Sequence, residues 1–496
     1  MQGFRAVRGL LIILSAPLAA CAPPSAVTHA GGDGPQVSHG VAAGDVSATS
    51  AVLWARCDRA AVLHVELTRG DSTATVSASA PATVDGDFTA KIRVDGLEPQ
   101  TRYRYRAWCT DGAAAGASTL GTFRTAPDAH RAAPVRFIWG GDVGGQNVCR
   151  DRDAGYPIFR TIAAQSPDFF IGLGDMIYAD NPCRDTGWYG NAQIRGPAQP
   201  AADLAGFWSY WKYNREDAAL RHLLAATPYI PVWDDHEVIN DFGPHHDTGP
   251  SPPYPPGLHL LPLGRRAFLD YNPLAEVADA PLRLYRSFRW GQHVELFVLD
   301  TRQYRDPNSE PDDSRHPKTM LGLEQRMWLK AQLRRSDATW KIIVSSVPLS
   351  IPTGTSLAHD GWANGWGTTG FEVELLDILR FMQAEHIRNT IWIATDIHFA
   401  AVFRDTPFPE DPTFQTYEID TGPLNAGVFP KPDFDDTLHP KPLFRFPPDA
   451  DPAQGYAVAR TWFNFGLIRI DEHGALDADI LDVDGKRLYN LALRPR

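Results

Sequence analysis

Missing from this 496-residue chain is any apolar run of the roughly 20 residues that cross a bilayer as a helix, so no membrane-spanning helix is expected. Missing too is a surplus of positive charge. Lys plus Arg number 47 against 59 Asp plus Glu, a net charge of −12. A general nucleic-acid binder needs a cationic face, so no nucleic-acid partner is expected. Cysteine is scarce, with five residues and no C-x-x-C pair, which excludes zinc-ribbon chemistry. No internal repeat is visible. What is there is a composition of 43% apolar and 21% charged residues, that of a globular chain with a sizeable core. At about 100–200 residues per domain, the length argues for two to four domains.

The N-terminus has the pattern of an export signal. Arg5 and Arg8 precede an uncharged stretch, Gly9 to Ala20, rich in leucine and isoleucine. It ends in Leu18-Ala19-Ala20-Cys21, which resembles the lipobox of bacterial lipoproteins, where the cysteine after the cut receives a lipid. Residues 21–35, with Ala22-Pro23-Pro24 and a Gly-rich run to Gly34, read as a flexible tether. The alternative is an ordinary signal with a chance cysteine. The lipobox reading places the protein in a bacterial cell envelope, anchored to a membrane through Cys21. Export makes Cys57, Cys109, Cys149 and Cys183 candidates for two disulfides. Sequence order and the domain division favour Cys57–Cys109 and Cys149–Cys183; metal ligation is the alternative.

From residue 36 to 127 the chain reads as short strands with turn punctuation. Val52-Leu53-Trp54, Val62 to Leu67, Lys91 to Val94 and Tyr103 to Trp108 alternate, and Asp85-Gly86-Asp87 and Asp111-Gly112 supply turns. No helical period interrupts them, which predicts a β-sandwich. The turn before Tyr103 looks like the tyrosine corner of fibronectin type III modules. From residue 135 to 496 apolar strands alternate with helical segments, which predicts an α/β sheet with covered faces. Helices are expected over Asp203–Leu224, Leu321–Arg335 and Phe371–His386, among others, and the chain ends in hairpin strands. Gly243–Pro256 and Pro430–Pro452, rich in proline, read as surface insertions.

Four apolar strands end at an acidic residue. Phe137 to Gly141 leads to Asp142, and Phe169 to Gly174 leads to Asp175 and then Tyr178. Ile230 to Trp233 leads into Asp234-Asp235-His236-Glu237, and Ile391 to Thr395 into Asp396 and His398. In open α/β sheets sites form beyond the carboxyl ends of strands. Four acidic clusters on one edge repel unless cations sit among them, so metal ions held by carboxylate, imidazole and phenolate are the natural answer. Each motif alone has a plainer reading: a turn, a core tyrosine, a helix cap or a buried ion pair. Their joint occurrence at strand ends favours the metal site.

These motifs, with Leu299-Asp300-Thr301-Arg302, Gly40 to Asp45, Val52 to Arg56 and Leu321 to Gln325, resemble the PhoD-like alkaline phosphatase D family of the calcineurin-like metallophosphoesterases. The resemblance runs from about residue 38 to the C-terminus. It implies a four-layer α/β/β/α catalytic domain preceded by an all-β fibronectin type III-like sandwich, in an exported phosphate-ester hydrolase. Asp175-x-x-Tyr178 is also similar to the motif of purple acid phosphatases, whose tyrosine binds ferric iron. By position, Asp175 is implied to bridge two metals, with Asp142, Tyr178 and His398 completing an Fe3+ site. Asp235 and Asp396 are implied to serve a second, divalent ion, and His236 to be the acid assisting the leaving group. Arg302 is a candidate for gripping phosphate oxygens, with a structural ion pair as the alternative.

Two departures from the family pattern bear on the metals. Asp142 stands where the family often has a cysteine. After the strand Ile342–Ser345, Val344-Ser345-Ser346-Val347-Pro348 lacks the histidine that the resemblance implies, which leaves an oxygen-rich second site and favours calcium, Ca2+, over zinc. His359 or Asp360 is a candidate to fill the gap. The expected reaction is two-metal hydrolysis of a phosphate mono- or diester. A phosphodiesterase or phospholipase acting on membrane lipid, and a non-catalytic lipoprotein binding module, are the rivals.

Overall fold

The computed structural model describes residues 33–70, 75–112, 114–244, 257–431 and 433–496. The export signal, Cys21 and most of the tether lie outside these residues, as does most of the Gly243–Pro256 segment. No helix among the described residues is long and apolar enough to cross a membrane.

Two sheets form the body. The first runs, in spatial order, Arg487–Leu493, Leu476–Asp482, Asn464–Ile470, Val135–Gly140, Phe169–Leu173, Tyr229–Val232, Val37–Gly44, Ser50–Cys57 and Thr89–Asp95. The second runs Arg286–Trp290, Val294–Val298, Trp340–Val344, Thr390–Ala394, Thr416–Asp420, Ala400–Asp405 and Lys441–Phe446. Strand alternation explains why they stack. Phe137, Phe169, Ile171, Leu173 and Val232 of the first meet Val294, Leu296, Ile342, Val344 and Ile393 of the second in one dry layer. The residues of opposite parity face helices. Ile138 and Phe170 pack under Ile158–Ala164, Leu204–Arg215 and Ala218–Ala226, while Phe297 and Ile343 pack under Gly322–Arg335 and Glu372–Ala384. The result is the α/β/β/α arrangement.

The N-terminal strands form a fibronectin-like sandwich. Ala61–Arg69 lies between Thr75–Ala82 and Arg102–Asp111, and this sheet covers the face of Val37–Gly44, Ser50–Cys57 and Thr89–Asp95. Tyr103 Oη accepts the Glu98 N–H at 2.9 Å, closing the tyrosine corner. Cys57–Cys109 ties the two sheets of the sandwich together, and Cys149–Cys183 pins two loops against Tyr213.

Three local outcomes differ from the sequence reading. The sandwich is not a separate sheet system, because Gly44 pairs in parallel with Tyr229 and fuses it to the strands Val135–Gly140, Phe169–Leu173 and Tyr229–Val232. Gly44 is needed there, since a Cβ would meet Pro273 at 2.5 Å and the Tyr229 carbonyl at 2.7 Å. The helix expected over Asp203–Leu224 is two helices. Asp217 breaks it by turning its carboxylate onto the N–H groups of Ala219 and Leu220, capping the second. The proline-rich Pro430–Pro452 stretch is more than an insertion, because Lys441–Phe446 adds an edge strand beside Ala400–Asp405.

Candidate metal centre

The parallel strands of both sheets deliver their carboxyl ends to one rim. From the first sheet come Asp142, Asp175 and Asp234-Asp235-His236; from the second come Asp300, Arg302, Asp396 and His398. Asp142, Asp175, Asp396 and His398 all adopt left-handed backbone, with φ of 63°, 53°, 74° and 56°. Non-glycine residues rarely sit there, and such strain concentrates where a side chain must be aimed.

Three groups of ligand atoms converge, each with its members within 4.8 Å: Asp142, Asp175 and His398; Asp175, Asp235 and His236; Asp234, Asp235 and Asp396. A fourth contains Asp235, Asp241 and Asp360. Tyr178 joins the first, its hydroxyl 2.8 Å from His398 Nε2. The donor set fits cations on a direct observation. Both oxygens of Asp142 and one each of Asp175, Asp234 and Asp396 are buried with no hydrogen-bond partner in the protein. Such atoms are costly unless a charge meets them. Burial, then the neighbouring carboxylates, pushes Asp142, Asp175 and Asp396 well above the usual carboxylate range. His398 is pulled down to about 4, chiefly by burial, and is a neutral imidazole at pH 7. Its Nδ1 lies 2.5 Å from the Gly427 carbonyl, which leaves Nε2 toward the cluster.

His236 is held differently. Burial alone would lower it, but Asp180, with its Oδ1 2.6 Å from Nδ1, and Asp235 raise it to about 10. Its ring lies 4.0 Å from that of Tyr178, centroid to centroid.

Arg302 is corrected by the structure. It is fully buried, and its guanidinium donates to Asp234 at 2.5 Å, to both oxygens of Asp360 at 2.7 and 2.9 Å, and to the Phe242 carbonyl. Its donors are committed to these partners, so the role of gripping phosphate is withdrawn and the structural ion pair stands. Asp360 also accepts from Arg305 and Asn308. His359 turns its Nδ1 to Thr369 instead of joining a metal group.

The sequence reading missed the groups that aim the site. Glu237 accepts the N–H groups of Asp175, Met176 and Asp234 at 3.0, 2.8 and 2.8 Å. Asp300 accepts from the Trp233 indole and is itself held through its backbone by Gln325. Adjacency of Glu237 to the acidic run was the one visible signal; Asp180 and Asp241 come from loops with no strand-end pattern, while Asp360, a candidate from the sequence, lies with Asp235 and Asp241.

The sequence profile of the PhoD-like phosphatase family matches residues 137–479, and that of the PhoD-like phosphatase N-terminal domain matches residues 21–127. The chain belongs to the PhoD-like phosphatase family. It is 26% identical over 398 residues to Alkaline phosphatase D of Bacillus subtilis (strain 168), a match spanning 72% of this chain and 64% of that protein. The solved structure of PhoD superposes with a TM-score of 0.71 at 20% identity, covering 94% of each chain. A purple acid phosphatase from yellow lupin seeds, Lupinus luteus, superposes with a TM-score of 0.58 at 13% identity, over 92% of this chain and 73% of that one. These likenesses are of fold.

Proposed function

We propose that this chain is an exported, metal-dependent phosphate-ester hydrolase of the alkaline phosphatase D type. The observation that carries the reading is the convergence of strand-end carboxylates whose buried oxygens have no partner in the protein. In this reading Asp142, Asp175, Tyr178 and His398 hold Fe3+, and Asp175, Asp235 and Asp396, joined by Asp234, hold a divalent ion. All ligands but His398 offer oxygen, which suits a hard second ion, Ca2+. Bound there, the cations would activate water and neutralise charge on the phosphate oxygens. Asp175 belongs to two of the ligand groups, as a bridging carboxylate must. Glu237 fixes the backbone of Asp175 and Asp234, so both carboxylates are aimed before any ligand arrives. His236, kept protonated by Asp180, has Nε2 left to give a proton to the departing oxygen. Two disulfides support export. The proposed parts are a signal at 1–20, a lipid tether at 21–35 with Cys21 lipidated, the sandwich at 36–127 and the catalytic domain at 135–496.

Phosphate release from simple mono- and diesters, measured beside the iron and calcium content of the purified protein, tests the reading. Turnover that survives complete removal of metal, or a metal-loaded protein that releases no phosphate from any ester, overturns it.

A further inference from the structure

Among the described residues most large aromatic side chains are buried or half-buried. Among the described residues the exposed ones are Trp188, Tyr304, Trp366 and Phe429. Two of these touch each other at the metal centre. The rings of Trp188 and Phe429 lie 5.3 Å apart at 33°, and Phe429 lies 5.4 Å from the ring of His398. Trp188 is 39% exposed and Phe429 40%, so the pair presents ring surface to solvent one imidazole away from the carboxylate cluster.

The pair is also held rigid. Trp188 stacks on Tyr189 at 5.4 Å and 19°, and the Tyr189 hydroxyl accepts the Val428 N–H at 3.0 Å. The backbone N–H of Trp188 donates to the Asn147 carbonyl at 3.0 Å. Gly427, whose carbonyl meets His398 and whose N–H meets Gln146, lies under the indole, where a Cβ would collide with the ring. One loop therefore fixes the orientation of His398 and seats the aromatic pair. Exposed aromatic surface costs free energy in water, and a pre-set ring face is what a flat ligand group needs in order to stack with little ordering cost.

We infer that Trp188 and Phe429 are specificity-determining residues that receive the organic group of the ester, and that the preferred esters carry a flat ring at that position. This rests on the reading of the site as a phosphate-ester hydrolase. The wall contributes binding alone and donates no proton, so its loss should raise KM and leave kcat nearly unchanged.

The test compares 1-naphthyl phosphate with glycerol 2-phosphate on the wild type, Trp188→Ala, Trp188→Phe and Phe429→Ala, with metal content and thermal unfolding measured on each. For Trp188→Ala we expect kcat/KM on the naphthyl ester to fall about ten-fold, through KM, the usual worth of one stacking face. The glycerol ester should change less than about two-fold, and Trp188→Phe should restore most of the loss. Equal losses on both esters, or no loss on either, overturn the inference. Binding of phenylphosphonate against methylphosphonate, which needs no turnover, separates the two readings. If the metal-loaded wild type hydrolyses neither of these monoesters nor any diester, the proposed function fails. The wall still stands if Trp188→Ala weakens phenylphosphonate alone, and falls if it weakens both equally or neither.

Discussion

His236 sits in a ligand group with Asp175 and Asp235, yet its Nδ1 is taken by Asp180, so acid and ligand roles make opposite predictions. As the acid, His236→Ala keeps its metals and loses about 10²–10⁴ in turnover. The loss should be largest for esters with poor leaving groups and small for nitrophenyl esters, whose leaving oxygen needs little protonation. Asp175→Asn should instead empty at least one site, because a lost bridging carboxylate leaves two cations repelling. Metal analysis of both variants decides: equal depletion would make His236 a ligand. Tyr178 has its own signature. A phenolate on ferric iron gives a purple or pink protein, which Tyr178→Phe should bleach; a colourless, iron-free and fully active wild type removes that assignment. At this scale the convergence was legible: Asp142, Asp175, Asp235, Asp396 and His398, expected at strand ends, meet on one rim, because acidic residues after apolar strands announce themselves. Arg302 was not, because a sequence does not reveal that Asp360, 58 residues away, neutralises it.

Elements were legible where one periodicity ran unopposed. Phe169–Leu173 and Thr390–Ala394 are buried throughout, and apolar but for Thr390, because both faces are covered. Asp217 defeated the pattern locally, since a side-chain cap inside an apolar period restarts the helix without altering the period. The helix Gly257–Tyr271 was missed outright, with Pro262 inside it and a proline-rich run before it. The disulfides act at this scale too. Cys57–Cys109 closes 52 residues and joins the two sandwich sheets, so Cys57→Ala with Cys109→Ala should cost about 2–4 kcal/mol in denaturant titration. Its cost should leave the metal content unchanged, as that bond is remote from the strand-end rim. A double variant as stable as the wild type would assign the bond no part in holding the sandwich closed.

For the whole molecule the buried carboxylates couple metal content to pH. In the metal-free protein Asp142, Asp175 and Asp396 are raised well above the ordinary carboxylate value of about 4, first by burial and then by one another. Burial likewise carries Glu237 up to about 8. Above pH 4 the unfolded chain has released these protons while the native chain still holds them, so native stability falls as pH rises through the raised values. His236 adds to the fall between its ordinary 6.5 and about 10. His398, lowered to about 4, opposes it between pH 4 and 6.5 only. Cations reverse the carboxylate part, because they favour the ionised form and displace the protons. Chelation should therefore lower Tm little at pH 5 and progressively more toward pH 8, and metal binding at pH 7 should release protons into a weak buffer. Parallel Tm–pH curves for the loaded and chelated protein, with no proton release, would mean that these carboxylates do not hold the metal.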